Sequence, residues 1–146
     1  MVEQHRVHFV FNEVARLHKS GILGALVFCG VWRGGLTIAA LLSQRRFGSD
    51  REVYLFDTYE GMPAPDAAED DPSAKEFWAQ LEEAKRTNGA NVSDRVRDAQ
   101  QVGNVDENFV WIPASLAEVE ANVRATGYPG ELLHFVKGRV EDSAKE

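Results

Sequence analysis

The chain opens with Val7, Val10, Phe11, Val14 and Leu17 at the three-and-four spacing of a helix face, with Glu3, Asn12, Glu13 and Arg16 on the other positions. This pattern predicts an amphipathic helix over residues 2–19, ended by Gly21. Ala25-Leu26-Val27-Phe28-Cys29 is a continuous apolar run between Gly24 and Gly30, which reads as a strand buried on both faces. Leu36 to Leu42 form a strongly apolar helix after Gly34 and Gly35, and Gln44, Arg45 and Arg46 close it, the cations suiting its C-terminal end. Residues 52–56, Glu-Val-Tyr-Leu-Phe, give a second strand that runs into Asp57.

Residues 61–72 contain Gly61, Pro63, Pro65 and Pro72 and read as loop. Ser73 and Glu76 have the spacing of a capping box and open a helix with Phe77, Leu81 and Ala84 on one face. Residues 88–110 are rich in Asn, Gly and Asp and read mostly as loop. Ser115 and Glu118 form a second capping box, Leu116, Val119 and Val123 supply the buried stripe, and Gly127 and Pro129 stop that helix. Residues 132–136, Leu-Leu-His-Phe-Val, are the third strand, and the tail Arg139–Glu146 carries no core signal.

Strand, helix, strand, helix, strand is the α/β pattern. Right-handed crossovers place the strands parallel in spatial order 3-2-1, one half of a doubly wound sheet with flanking helices. The organisation expected is a single domain over 1–146, with an N-terminal helix in 1–20, the α/β part in 21–143 and a tail in 144–146.

Composition narrows the classes. Acidic residues outnumber basic ones, 23 to 16, for a net charge of −7. That disfavours a nucleic-acid binder, which needs a cationic footprint against phosphates. Cys29, the single cysteine, has no partner for an internal disulfide. No apolar run approaches the roughly 18 residues that span a bilayer, and the mixed N-terminus does not read as a signal peptide. A cytoplasmic protein without a membrane partner is expected. Residues 57–83 hold nine acids and one base, Lys75, which reads first as a solvated face and second as a region able to hold a cation through Asp66, Glu69, Asp70 and Asp71.

In such a sheet, ligands bind beyond the carboxyl ends of the strands. Gly30-Val31-Trp32-Arg33-Gly34-Gly35 falls there, between the first strand and its helix. Its glycines permit positive φ and close approach of a ligand, and the helix head that follows favours an anion. Tight helix–strand packing explains the same glycines equally well. The spacing is neither G-x-G-x-x-G nor a P-loop. Asp57 follows 27 residues after Gly30, at the end of the second strand. Its two oxygens match the vicinal diol of a ribose, and capping of the next turn is the alternative role. Together these features point to a nucleoside-containing ligand without separating NAD from S-adenosylmethionine. Arg33 has two candidate partners, a ligand carboxylate or an acid such as Glu60. Trp32 and Trp78 are read as ligand cover or core, and Trp111 is given no role. His5, His8, His18 and His134 are too scattered to signal a metal.

The runs GALVFCGVWRGGLTIAALL and VYLFDTYEGMPAP, followed by SLAEVEANVRATGYPGELLHFVKGRVEDS, resemble the macrocin O-methyltransferase (TylF-type) family from about Gly21 to Ser143. The resemblance implies a partial class I methyltransferase (Rossmann-like) fold, represented by its cofactor-binding half, and a magnesium-assisted transfer from S-adenosylmethionine to a hydroxyl of a sugar or related natural product. It implies that Gly30, Val31, Trp32, Arg33, Gly34 and Gly35 line the methionine part of the cofactor. It implies that Asp57 holds the ribose with Thr58 and Tyr59 beside it. The stretch Gly138–Asp142, with Glu141, is implied near the adenine. The family usually has an acid at the position of Phe28, an Asp at Ala25 and a small hydroxyl residue at Leu36, so weaker cofactor binding is expected. The family's metal-binding aspartates and its hydroxyl-activating residues follow the third strand, beyond Glu146, so no catalytic base and no Mg2+ ligand is assigned to this chain. The rival readings are a non-catalytic nucleotide-binding module that self-associates through the open edge of the first strand, and an NAD-dependent oxidoreductase domain, which the glycine spacing disfavours.

Overall fold

The computed structural model describes residues 2–61, 65, 70–76, 78–79 and 114–144. The chain forms two compact units, Met1–Glu60 with Ala114–Glu146, and Gly61–Pro113. The first holds α1 (Gln4–Lys19), β1 (Leu26–Cys29), α2 (Gly35–Phe47), β2 (Val53–Asp57), α3 (Leu116–Arg124), a 3-10 turn (Gly130–Leu132), β3 (Leu133–Lys137) and the one-turn α4 (Val140–Ser143).

The three strands make one parallel sheet in the order β1-β2-β3, the 3-2-1 arrangement read from the other side. Leu26 pairs with Val53 and Val53 with Leu133, so the three apolar runs are in step. Val53, Leu55 and Leu133 are buried in one core with Leu41 of α2 and Val119 and Val123 of α3. Leu26, Phe28 and Phe135 pack against it. Leu55 is fully buried, so its truncation to alanine should cost about 2–5 kcal/mol.

One expectation fails at β1. Its residues alternate between half-buried and exposed, with Val27 58% exposed and Cys29 exposed, so the strand is not buried on both faces. Cys29 is therefore not the buried small hydrophobe the run suggested. An apolar run reports what a strand contains, while its place at the sheet edge decides how much is covered.

α1 lies on α2, with the Phe11 and Phe47 rings 5.4 Å apart and His18 stacked on Phe47. The last turns of α2 also bury Ser43 and Gln44, although both are polar. Ser43 Oγ donates to the Ala39 carbonyl at 2.6 Å, and Gln44 Nε2 has no hydrogen-bond partner among the described residues. Arg45 donates to the Thr126 carbonyl, tying the end of α2 to the turn after α3.

The amino ends of the strands are tied by Arg51 and Tyr128. The Tyr128 hydroxyl accepts from the Arg51 amide at 2.6 Å and donates to the Arg51 carbonyl at 2.9 Å. The Arg51 guanidinium donates to the carbonyls of Gly24 and Ile22, just before β1. Burial pushes the Tyr128 hydroxyl above its ordinary pKa.

In the second unit, residues 72–76 are helical. The cap differs from the expected Ser73–Glu76 box: Asp71 Oδ1 accepts from the Ser73 amide at 2.8 Å, and the Asp71 carbonyl accepts from Ala74. Pro72 explains the shift, because it fits the first helical position and moves the cap back to Asp71. The hydrogen bonds from Ser73 lower the Asp71 pKa. The proposed face of Phe77, Leu81 and Ala84, the 88–110 loop and Trp111 lie outside the described residues.

At α3, Ser115 is the cap and its Oγ accepts from the Glu118 amide at 3.2 Å. Gly127 follows with φ +68°, a left-handed value that ends the helix. The tail contains α4, none of whose residues is buried.

Candidate functional site

The site assembles at the carboxyl ends of β1 and β2. The Gly30 amide donates to the Phe56 carbonyl at 2.9 Å, the last rung of the β1–β2 ladder. Beyond it the chain turns sharply through Gly30 (φ +80°), Trp32 (φ +49°) and Gly34 (φ +82°) into α2. The glycines serve different purposes. A Cβ on Gly34 would come within 3.1 Å of Val123, so Gly34 allows α3 to pack on the turn. A Cβ on Gly35 would collide with the Val2 side chain. At Gly30 the same atom meets nothing within 4 Å, so this glycine faces open space. The glycines of the turn thus admit close packing at Gly34 and Gly35 and leave space at Gly30.

Asp57, the last residue of β2, crosses to this turn. Its Oδ2 accepts from the Val31 amide at 2.6 Å and the Trp32 amide at 2.9 Å. Its Oδ1 accepts from the Tyr59 amide at 2.8 Å. One carboxylate thus holds two loops. Trp32 and Tyr59 both have left-handed backbones, Tyr59 at φ +54°. That conformation costs an ordinary L-residue about 1–2 kcal/mol. Three charge-assisted bonds to Asp57 offset it.

Tyr59 is buried, and its hydroxyl donates to the Leu55 carbonyl at 2.8 Å. Burial, with the negative charges of Asp57 and Glu120, pushes its pKa well above the ordinary phenol value. Trp32 packs against the core with the Arg33 guanidinium carbon 5.8 Å from its ring centre. Arg33 does not pair with Glu60. Its Nε lies 3.3 Å from Glu118 Oε1 on α3, and Asn122 Nδ2 donates to the Arg33 carbonyl. Glu60 instead pairs with Lys137 at 2.6 Å. Glu118 has the spacing of a capping residue, which masks this second role.

The structure brings Gly138 to the same place, since its amide donates to the Asp57 carbonyl at 3.0 Å. Thr58 is half-buried between Asp57 and Tyr59. Glu141 and Asp142 are exposed on α4, with Glu141 Oε2 3.7 Å from Arg139 Nε. Phe28 faces the core and offers no charge to a ligand. No side chain caps the head of α2. The contact between Val2 and Gly35 had no signal in the sequence pattern.

Among the described residues no group of three or more His, Cys, Asp or Glu is placed to hold a metal ion. His134 stacks on Tyr54 and contacts Glu52, at the opposite end of the strands. The suggested cation group includes Asp66 and Glu69, which lie outside the described residues. The described residues do not form a Mg2+ site. No described helix is long and apolar enough to cross a membrane.

A parallel sheet with a glycine turn after β1 and an acid at the end of β2 is the architecture of Rossmann-like α/β proteins. The solved O-methyltransferase NovP has this fold: it is 25% identical, with a TM-score of 0.58 over 94% of this chain and 46% of that chain. The calicheamicin methyltransferase CalS11 shares the fold at 14% identity, with a TM-score of 0.56 over 97% of this chain and 48% of that one. The chain spans about half the length of these two structures. The sequence profile of the macrocin-O-methyltransferase (TylF) family matches residues 1–110, and the chain belongs to that family. The profile thus covers α1, the glycine turn and Asp57, while β3 and the Gly138–Asp142 stretch lie outside it. No curated protein matches the chain in sequence.

Proposed function

We propose that this chain is the S-adenosylmethionine-binding part of an O-methyltransferase acting on a hydroxyl of a sugar or related small natural product. The observation that carries the reading is the junction of open Gly30 and Asp57, which lies within the family match. Gly30 to Gly35 flank the methionine part, with Val2 against Gly35 as one wall. Asp57 holds the ribose, Thr58 and Tyr59 shape the loop beside it, and Gly138, Glu141 and Asp142 lie toward the adenine.

When bound, S-adenosylmethionine supplies an electrophilic methyl group on a sulfonium. The chain's own work is to bind and orient that group, since a direct displacement needs its two centres aligned. Removal of the hydroxyl proton needs a base or a metal-lowered pKa, and no described residue is assigned that task. Isothermal titration with S-adenosylmethionine and S-adenosylhomocysteine tests the reading. Saturable heat from the folded chain is expected, and no heat at millimolar ligand would contradict it.

A second reading, a non-catalytic module that self-associates, draws on β1. Leu26 and Gly30 turn their amides to β2, so those of Val27 and Cys29 face away from it, and β1 itself carries no charged residue. Sedimentation that shows a clean monomer at high concentration removes this reading.

A further inference from the structure

The reading of Asp57 as a ribose holder meets a constraint in its own hydrogen bonds. A carboxylate oxygen has two lone pairs. Oδ2 already accepts two amides, from Val31 and Trp32. Oδ1 accepts one, from Tyr59. Those bonds hold Trp32 and Tyr59 in left-handed conformations, so opening them to admit a second hydroxyl would release both loops. Among the described residues, these bonds leave the half-buried side chain one acceptor position, on Oδ1.

We propose that Asp57 grips one ribose hydroxyl, through Oδ1 alone, while Oδ2 remains the clasp of the glycine turn. The bidentate grip on a vicinal diol that an acid at this position suggests is therefore closed to this chain. This inference rests on the cofactor reading above and specifies how the site discriminates among nucleosides: it senses one of the two ribose hydroxyls through Asp57.

The test uses the whole chain and three ligands: S-adenosylhomocysteine and its 2′-deoxy and 3′-deoxy forms, each titrated calorimetrically. Amide hydrogen exchange of Val31 and Trp32 is followed with and without S-adenosylhomocysteine. One deoxy form should bind about tenfold or more weakly, the loss of a charge-assisted bond, and the other within about threefold of the parent. The Val31 and Trp32 amides should be protected in the free chain and stay protected when ligand binds. Equal losses for both deoxy forms, no loss for either, or deprotection of the two amides on binding would overturn the proposal while leaving the cofactor reading intact. Absence of binding by S-adenosylhomocysteine itself would remove the cofactor reading, and the one-hydroxyl grip with it.

Discussion

The two ends of β2 are fastened in different ways. At the amino end, Tyr128 and Arg51 exchange hydrogen bonds with main-chain groups, and the positive-φ residues beside them, Gly21, Gly24, Gly48 and Gly127, are all glycines. At the carboxyl end, a carboxylate pulls three amides together and holds two aromatic residues in left-handed conformations. At the first end the left-handed residues are glycines, which adopt that backbone without steric cost. The second carries charge, strain and an open glycine. Strain that persists only because neighbours enforce it collects where a protein handles a ligand. On the proposed reading, Gly30 and Asp57 form the working end of the sheet.

Removing the carboxylate should give the largest effect. Asp57→Ala leaves three amides without their acceptor and should cost about 2–3 kcal/mol in urea unfolding. Tyr128→Phe, which strips two hydrogen bonds from the amino end, should cost about 1–2 kcal/mol. A larger loss from Tyr128→Phe than from Asp57→Ala would reverse the comparison. Strain is read by a pair of substitutions. Trp32→Val and Trp32→Gly both remove the indole, but only glycine adopts φ +49° without cost. The valine variant should be less stable by about 1 kcal/mol or more, and equal stabilities would show that the turn is not strained.

The smallest effect is a pH dependence. The Tyr59 pKa is raised in the fold above the ordinary 10.0, chiefly by burial, so the folded chain keeps a proton that the unfolded chain releases. Its contribution is complete below pH 10 and is lost as the pH rises above it toward the folded value. Tyr59→Phe should flatten the decline of stability above that pH, and an unchanged decline would assign it to other groups.

Much of this was legible in the sequence because periodicity and glycine placement act locally. The α1 stripe, the three apolar runs and the Ser115 cap each follow from neighbours a few residues away, and each is found. What was not legible depends on partners far along the chain. The exposure of Cys29 follows from the edge position of β1. The pairing of Arg33 with Glu118 spans 85 residues, and no spacing rule connects them. Asp57 was visible as a candidate, but its bonds to Val31 and Trp32 exist only once both strands are side by side. The cap at Asp71 was legible in principle, since Pro72 marks a first helical position, yet the Ser73–Glu76 spacing drew the boundary two residues late.

The most direct test of the central claim is a nitrogen–proton correlation spectrum of the labelled chain, recorded as S-adenosylhomocysteine is added. The account expects saturable shifts concentrated on the amides of Gly30, Val31, Trp32, Thr58, Tyr59 and Gly138, with those of Arg51 and Tyr128 at the other end unmoved. A spectrum that does not change at millimolar ligand, or that changes around Arg51 and Tyr128 instead, would contradict it.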